Sequence, residues 1–298
     1  MIINQLTVND NAQRADVFVA EMLKITRSSA ARLIEGSVTS NGIVIKKKDK
    51  LEVGAILQVS VPDPIPLQAE AEDIPLDIVF EDSDMLVVNK PKGMVVHPAP
   101  GNYSGTLVNA LLAHCGSSLS GINGVMRPGI LHRIDKYTSG LLMVAKNDNA
   151  HNFLAAQIKD HSFTREYEAV VYGNFRANSG KIDAPIGRHP TKRKQMAVTD
   201  SNSKNAVTYY EVIERKNGFT HVRLRLETGR THQIRVHMQY IGHPVAGDEV
   251  YGPKEVISEL EGQCLHAKKI GFIHPTTHEY MEFDSELPEY FKNFLLKI

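Results

Sequence analysis

The feature that most limits how this 298-residue chain can fold is a proline-rich acidic stretch in its first third. Pro62, Pro64, Pro66 and Pro75 lie within residues 62–75, among Asp63, Glu70, Glu72 and Asp73. A proline lacks an N–H donor and pushes the residue before it away from helical dihedrals. Neither a helix nor a central strand is expected to cross such a stretch, so 62–75 reads as an extended linker. It separates a small module at about 12–61 from a domain at 76–298, long enough to bury its own core.

In the module, Asp16–Leu23 has the apolar spacing of a helix. Thr26–Gly36 predicts a second helix, with hydroxyl residues suited to its start and Gly36 to its exit. Val38–Ile45 reads as two short strands around Asn41-Gly42, a strong hairpin signal. Lys46, Lys47 and Lys48 follow, then an apolar strand pattern at Val53–Val59. In the larger domain Ile78–Pro91 reads as strand, turn, strand. Residues 149–160 and 232–241 predict helices, and Tyr167–Tyr172, Val207–Ile213 and His221–Leu226 predict strands. Strands outnumber helices and several pair through short turns. The expected fold class is α+β with a mixed, mainly antiparallel sheet.

A formal net charge of zero excludes a simple polycation. The charge is segregated, however. Residues 62–82 hold seven acids and no Lys or Arg, whereas residues 186–235 hold eleven Lys or Arg against four acids. A neutral chain with a basic segment can still bind RNA locally. No apolar run approaches the ~18 residues of a membrane span, and the first residues lack a basic segment followed by an apolar stretch. Cys115 and Cys264 are far apart in sequence and are expected to be reduced thiols. A cytoplasmic protein with no membrane partner is the expectation.

The chemistry concentrates in Leu131-His132-Arg133-Ile134-Asp135-Lys136-Tyr137-Thr138-Ser139-Gly140-Leu141-Leu142. A carboxylate between apolar runs is costly unless it is paired or used. A protein-kinase loop would have Asp directly after His-Arg, with an Asp-Phe-Gly farther on; here Ile134 intervenes and no such tripeptide follows. Three further elements stand downstream: Thr164-Arg165-Glu166-Tyr167, Gly229-Arg230-Thr231-His232-Gln233-Ile234-Arg235-Val236-His237, and Leu265-His266-Ala267. His232 and His237 are five apart, which does not stack two metal ligands on one helical face.

In this order the motifs resemble the catalytic domain of RluA-family pseudouridine synthases. Asn89-Lys90-Pro91 and Val96-His97-Pro98 are similar to that domain's opening. Residues 12–61 resemble the α-L RNA-binding domain, through Arg27, Ser28, Leu33, Ile34, Gly36, Val38, Asn41 and Gly42. The resemblance implies that Asp135 is the nucleophile and Arg230 its salt-bridge partner. Tyr167 would pack on the target base, Arg133 would enter the space left by a flipped nucleotide, and Leu265 would wall the uracil pocket. Arg27, Arg32, Lys46, Lys47 and Lys48 would face phosphate, as would a basic loop carrying Lys192, Arg193 and Lys194.

The implied reaction breaks an N-glycosidic bond and rejoins the same base through carbon. Nothing is oxidised and no group is imported, so no cofactor or metal is required. The expected partner is large-subunit (23S-type) ribosomal RNA or a pre-ribosomal particle, and a monomer is expected. Two rivals are an RNA-binding ribosome-assembly factor without catalysis and an N-glycosidase. Replacement of Asp135 or Arg230 would favour the first, and release of free uracil the second.

Overall fold

The computed structural model describes residues 2–9, 13–23, 27–61, 69–99, 101–116, 118–122, 127–192 and 195–298. Thr26, Arg193, Lys194 and the Arg32 side chain, all singled out from the sequence, fall outside what is described. The chain divides into two compact units, Met1–Pro66 and Leu67–Ile298.

The first unit contains β1 (Ile2–Thr7), α1 (Ala15–Met22), α2 (Arg27–Ser37), β2 (Val38–Ser40), β3 (Ile43–Val44) and β4 (Ile56–Val61). The sheet order is β1-β4-β2-β3. Thus β1 lies ahead of the expected start at residue 12, because β4 needs a second antiparallel neighbour and finds it in Ile2–Thr7. Asn41 and Gly42 both have positive φ, as the tight hairpin between β2 and β3 demands. Phe18, Val19, Ile34, Leu57 and Val59 form the core. Of the cations expected to face phosphate, Arg27 gives its Nε to Asp16 at 3.0 Å and Lys47 its Nζ to Glu35 at 2.6 Å. Lys46 and Lys48 stand exposed.

The second unit contains β5 (Ile78–Glu81), β6 (Met85–Lys90), α3 (Leu107–Cys115), β7 (Ser139–Ala145), α4 (Asp148–Lys159), β8 (Thr164–Tyr172), β9 (Ser179–Asp183), β10 (Ile186–Arg188), β11 (Met196–Val198) and β12 (Ser203–Lys204). It continues with β13 (Val207–Lys216), β14 (Phe219–Leu226), α5 (Gln233–Tyr240), β15 (Leu265–Ile273), β16 (Tyr280–Asp284) and α6 (Glu289–Lys297). A nine-stranded sheet runs β5-β6-β7-β15-β8-β14-β13-β9, with β16 on β15. Every pairing in it is antiparallel except β7 with β15. The fold is α+β with a mixed, mainly antiparallel sheet.

Strand periodicity explains the continuous apolar runs of β6 and β7. Side chains alternate faces along a strand. Leu86, Val88, Leu142 and Val144 pack with Leu107 and Leu111 of α3. Met85, Val87, Leu141 and Met143 pack on the other face with Leu154 of α4 and Phe272 of β15. A sheet covered on both faces has no polar alternation to show.

Of the expected linker, residues 62–68 fall outside what is described. Residues 69–75 lie along the second unit, where the Asn109 amide donates to the Glu70 carbonyl at 2.7 Å and Glu72 N–H donates to the Asn109 carbonyl at 3.0 Å. Asn109 already closes the N-terminal capping box of α3 with Thr106, and its spare amide hydrogen recruits the passing chain. Among the described residues no helix is long and apolar enough to cross a membrane.

Candidate active site

Asp135 sits on the loop that leads into β7, the strand central to the second unit's core. The loop closes through Thr138 N–H donating to the Asp135 carbonyl at 3.1 Å. Immediately after it, Gly140 has φ +114 and a Cβ there would lie 2.3 Å from the Ala267 carbonyl oxygen. The Thr-Ser-Gly sequence thus lets β7 approach β15 closely where the two run parallel, and that approach fixes the loop ahead of it. Lys90, fully buried at the end of β6, holds the loop from beneath. Its ammonium donates to the carbonyls of Pro91 (2.7 Å), Met94 (2.8 Å) and Lys136 (3.2 Å), the last being Asp135's neighbour. Burial pushes the Lys90 ammonium down to about 7, against the pull of the Asp135 charge. The sequence marks Lys90 only as part of a motif and gives it no role.

The cation that meets Asp135 is Arg235, not Arg230. Arg235 Nη1 donates to Asp135 Oδ2 at 2.8 Å, while its Nε and Nη2 grip Asp248 at 2.6 and 2.9 Å. Burial works against the Arg235 charge, and the bonds and charge of Asp248 outweigh it, so the guanidinium ends well above its usual value. Arg230 instead donates its Nε to the Asn205 carbonyl at 2.9 Å. The reason is local. His232 adopts a left-handed conformation at the start of α5, and Gln233 Oε1 collects Arg230 N–H and the Thr228 hydroxyl, both at 2.9 Å. Arg230 belongs to that turn, whereas Arg235 lies within the helix and projects from it toward the loop.

Asp248 is the residue missed most completely. Its segment, Gly242–Asp248, gets no side-chain role from the sequence motifs, yet the Asp248 carboxylate is buried and accepts Val250 and Tyr251 N–H groups besides Arg235. His232 Nε2 lies 3.8 Å from Asp135 Oδ1, and His232 Nδ1 shares a hydrogen bond with the Tyr251 hydroxyl at 2.8 Å. Burial lowers the His232 pKa. His237 points elsewhere, to Thr208 and the Ala184 carbonyl.

A cleft of about 910 Å³ opens over these groups. Asp135, Arg133, Tyr167, Arg230, Arg235 and Leu265 all line it, so the four separated motifs converge on one space. Tyr167 is buried in β8, and burial raises its phenol above the usual value, so the ring enters the cleft as a neutral surface. Leu265 heads β15 and is buried beside it. Arg133 is exposed at the cleft, with Nη1 3.5 Å from His97 Nε2. Burial first, then Arg127 and Arg133, hold the His97 imidazole down at about 4. Lys192 is exposed between β10 and β11 and does not line the cleft.

Two histidines of the motifs are structural and carry a pH signature. His132 Nε2 accepts Met143 N–H at 3.1 Å, and burial drives its pKa to about 3. His266 lies between the Ser139 and Ser285 hydroxyls, and burial drives it to about 4. Unfolded histidines protonate near 6.5. Below that pH the unfolded chain binds protons that the folded chain refuses, so stability falls as pH drops from about 6.5 toward 4. At pH 5 the expected loss is on the order of 2 kcal/mol for each histidine relative to pH 7 or above. Urea unfolding at pH 7 and pH 5 checks this, and His266→Gln should flatten the dependence. An unchanged midpoint in the wild-type chain would show that the two imidazoles protonate freely in the folded state.

Comparison with known proteins gives the family. The family profile described as RNA pseudouridylate synthase matches residues 84–240. The chain is 52% identical over 293 residues to an uncharacterized RNA pseudouridine synthase, YlyB, of Bacillus subtilis, covering 96% of each chain. It is 48% identical over 288 residues to the ribosomal large subunit pseudouridine synthase D of Zymomonas mobilis, covering 93% of this chain and 90% of that one. Among solved structures, human RNA pseudouridylate synthase domain containing 1 is similar with a TM-score of 0.59 at 29% identity, over 72% of this chain and 85% of that one. The chain belongs to the RNA pseudouridylate synthase family, in keeping with the RluA type, and is an enzyme that isomerises uridine to pseudouridine in RNA.

Proposed function

We propose that the enzyme acts on large-subunit ribosomal RNA, with Asp135 as its nucleophile. The observation that carries the second part is the Asp135 carboxylate, held by Arg235 in a cleft that also contains Tyr167 and Leu265. The first part rests on relatives named ribosomal large subunit pseudouridine synthase D, at 48% and 44% identity in Zymomonas mobilis and Pseudomonas aeruginosa. In the reaction the bond from the base nitrogen to the sugar breaks, the base turns, and its C5 takes the same sugar carbon. C5 gives up a proton and the freed ring nitrogen gains one, so the change is an isomerisation. Asp135 meets the electron-poor centre that this cleavage creates, and Arg235 fixes the oxygen that does so. Tyr167 offers a flat neutral ring beneath the base and Leu265 closes the side of its pocket.

On this reading the chain works as a cytoplasmic monomer without a cofactor, and its first unit adds phosphate contacts through Lys46 and Lys48. Transcript-wide pseudouridine mapping with and without the gene tests the substrate. Loss of one or more pseudouridines in large-subunit ribosomal RNA is expected. Loss confined to transfer RNA would overturn the assignment.

On this reading Arg133 holds the opened RNA. It is exposed, adjacent to the Asp135 loop and next to a neutral His97. Unstacking a uridine costs a few kcal/mol, so Arg133→Ala should slow single-turnover reaction on a structured stem-loop by about tenfold or more. A flexible single strand containing the same uridine should lose much less. Equal losses on both RNAs would leave Arg133 a general phosphate clamp.

A further inference from the structure

Among the described residues Arg165 is a buried cation without a counter-ion. Its side chain lies on β8 at 7% exposure, and its Nε is buried with no hydrogen-bond partner. No carboxylate among the described residues pairs with it, and its guanidinium carbon lies 5.5 Å from the centre of the Phe163 ring. Burial lowers its pKa, against an opposing pull from Tyr167, and the neighbouring Arg230 charge adds a smaller lowering. An unpaired buried charge is among the most destabilising features a fold can keep. A phosphate-sized partner from outside would remove that cost.

The surroundings give the partner's chemistry. Arg165 and Tyr167 are two residues apart on one strand, so their side chains leave the same face about 7 Å apart, and both line the cleft over Asp135. Arg230, freed from pairing with Asp135, lines the same cleft with its Nε tied back to Asn205. Asp135 and Asp248 are already engaged by Arg235. Two guanidiniums therefore stand near the base platform with no acid assigned to them. Gly229 makes room for the arrangement, because a Cβ there would lie 2.6 Å from Arg165 Nη1.

We propose that Arg165, with Arg230 beside it, is a phosphate receptor that takes a phosphodiester next to the target uridine as its missing counter-ion. A planar guanidinium can donate two parallel bonds to phosphate oxygens, and the cleft provides this only where RNA has entered. The inference rests on the cleft being where uridine reacts. Product formation by the wild-type enzyme on unmodified RNA tests that point separately.

The experiment is a methylphosphonate scan. A synthetic RNA oligonucleotide centred on the uridine identified by mapping is made in versions with one neutral linkage each, near that uridine. Binding is measured for the wild-type enzyme, Arg165→Gln, Arg165→Lys and Gly229→Ala. In wild type one neutral linkage beside the uridine should weaken binding about tenfold or more, the effect of losing a charge-assisted bond. In Arg165→Gln the same linkage should cost less than about twofold, with the other linkages unchanged, while Arg165→Lys should keep part of the sensitivity. Gly229→Ala keeps the charge and displaces the guanidinium, so it should reduce the same sensitivity even if Arg165→Gln fails to fold. Penalties that are identical at every linkage in wild type and in the folded variants would make Arg165 part of the scaffold and overturn the proposal.

Discussion

Asp135→Asn is expected to abolish isomerisation while the fold survives. Asn is nearly isosteric but cannot act as a carboxylate nucleophile, so the single-turnover rate should fall by about a thousandfold or more. Arg235 would keep its two bonds to Asp248, so no buried charge is orphaned by the change. The Asp135 side chain is also partly open to the cleft, at 25% exposure, which limits any packing loss. A thermal midpoint within a few degrees of wild type is the expected companion result. Tritium release from RNA carrying 5-tritiated uridine measures the rate, since the reaction must remove the hydrogen at C5. A rate within tenfold of wild type would remove Asp135 from the nucleophile role.

Arg235→Met should damage both activity and stability. It takes the cation from Asp135 and leaves Asp248, with a fully buried side chain, holding only two backbone N–H groups. Removing one partner of a buried ion pair costs about 3–5 kcal/mol, and the rate should fall by at least a hundredfold through loss of the oriented carboxylate. The double variant Arg235→Met with Asp248→Asn separates the two effects. It should recover a substantial part of the stability, because no unpaired charge is then buried, and none of the activity. Equal activity loss from Arg230→Met, with Arg235→Met near wild type, would restore the pairing that the sequence motif suggests.

Much of the fold is legible in the residues. The apolar spacing of Asp16–Leu23 became α1, Asn41-Gly42 became the β2–β3 hairpin, and the runs around Asp84 became β5 and β6. These follow from local rules of helix period, strand alternation and turn geometry. Other elements are weaker in sequence. The α3 helix is short and mostly buried, so it shows no polar face to set its period, and its capping box closes on Asn109 rather than the usual Glu or Gln. The strands of 186–204 are two or three residues long, below what alternation can signal.

By itself the sequence offered the candidates for the chemistry: Asp135 between apolar runs, Tyr167 on a strand, and Arg230 as the cation for the aspartate. It also determined the class of fold and the expectation that four distant motifs meet. The tertiary structure decided which arginine meets Asp135, a choice made across a hundred residues by the left-handed turn at His232 and the setting of α5. It alone decided that Asp248 grips Arg235 from the far side, that Lys90 ties the Asp135 loop through three carbonyls, and that Arg165 has no carboxylate partner among the described residues. The physical reason is one of range. Propensity and periodicity act over a few residues and are written into neighbouring letters. A hydrogen bond or ion pair needs a few ångströms and a direction, and only the packed chain sets those between residues far apart in sequence.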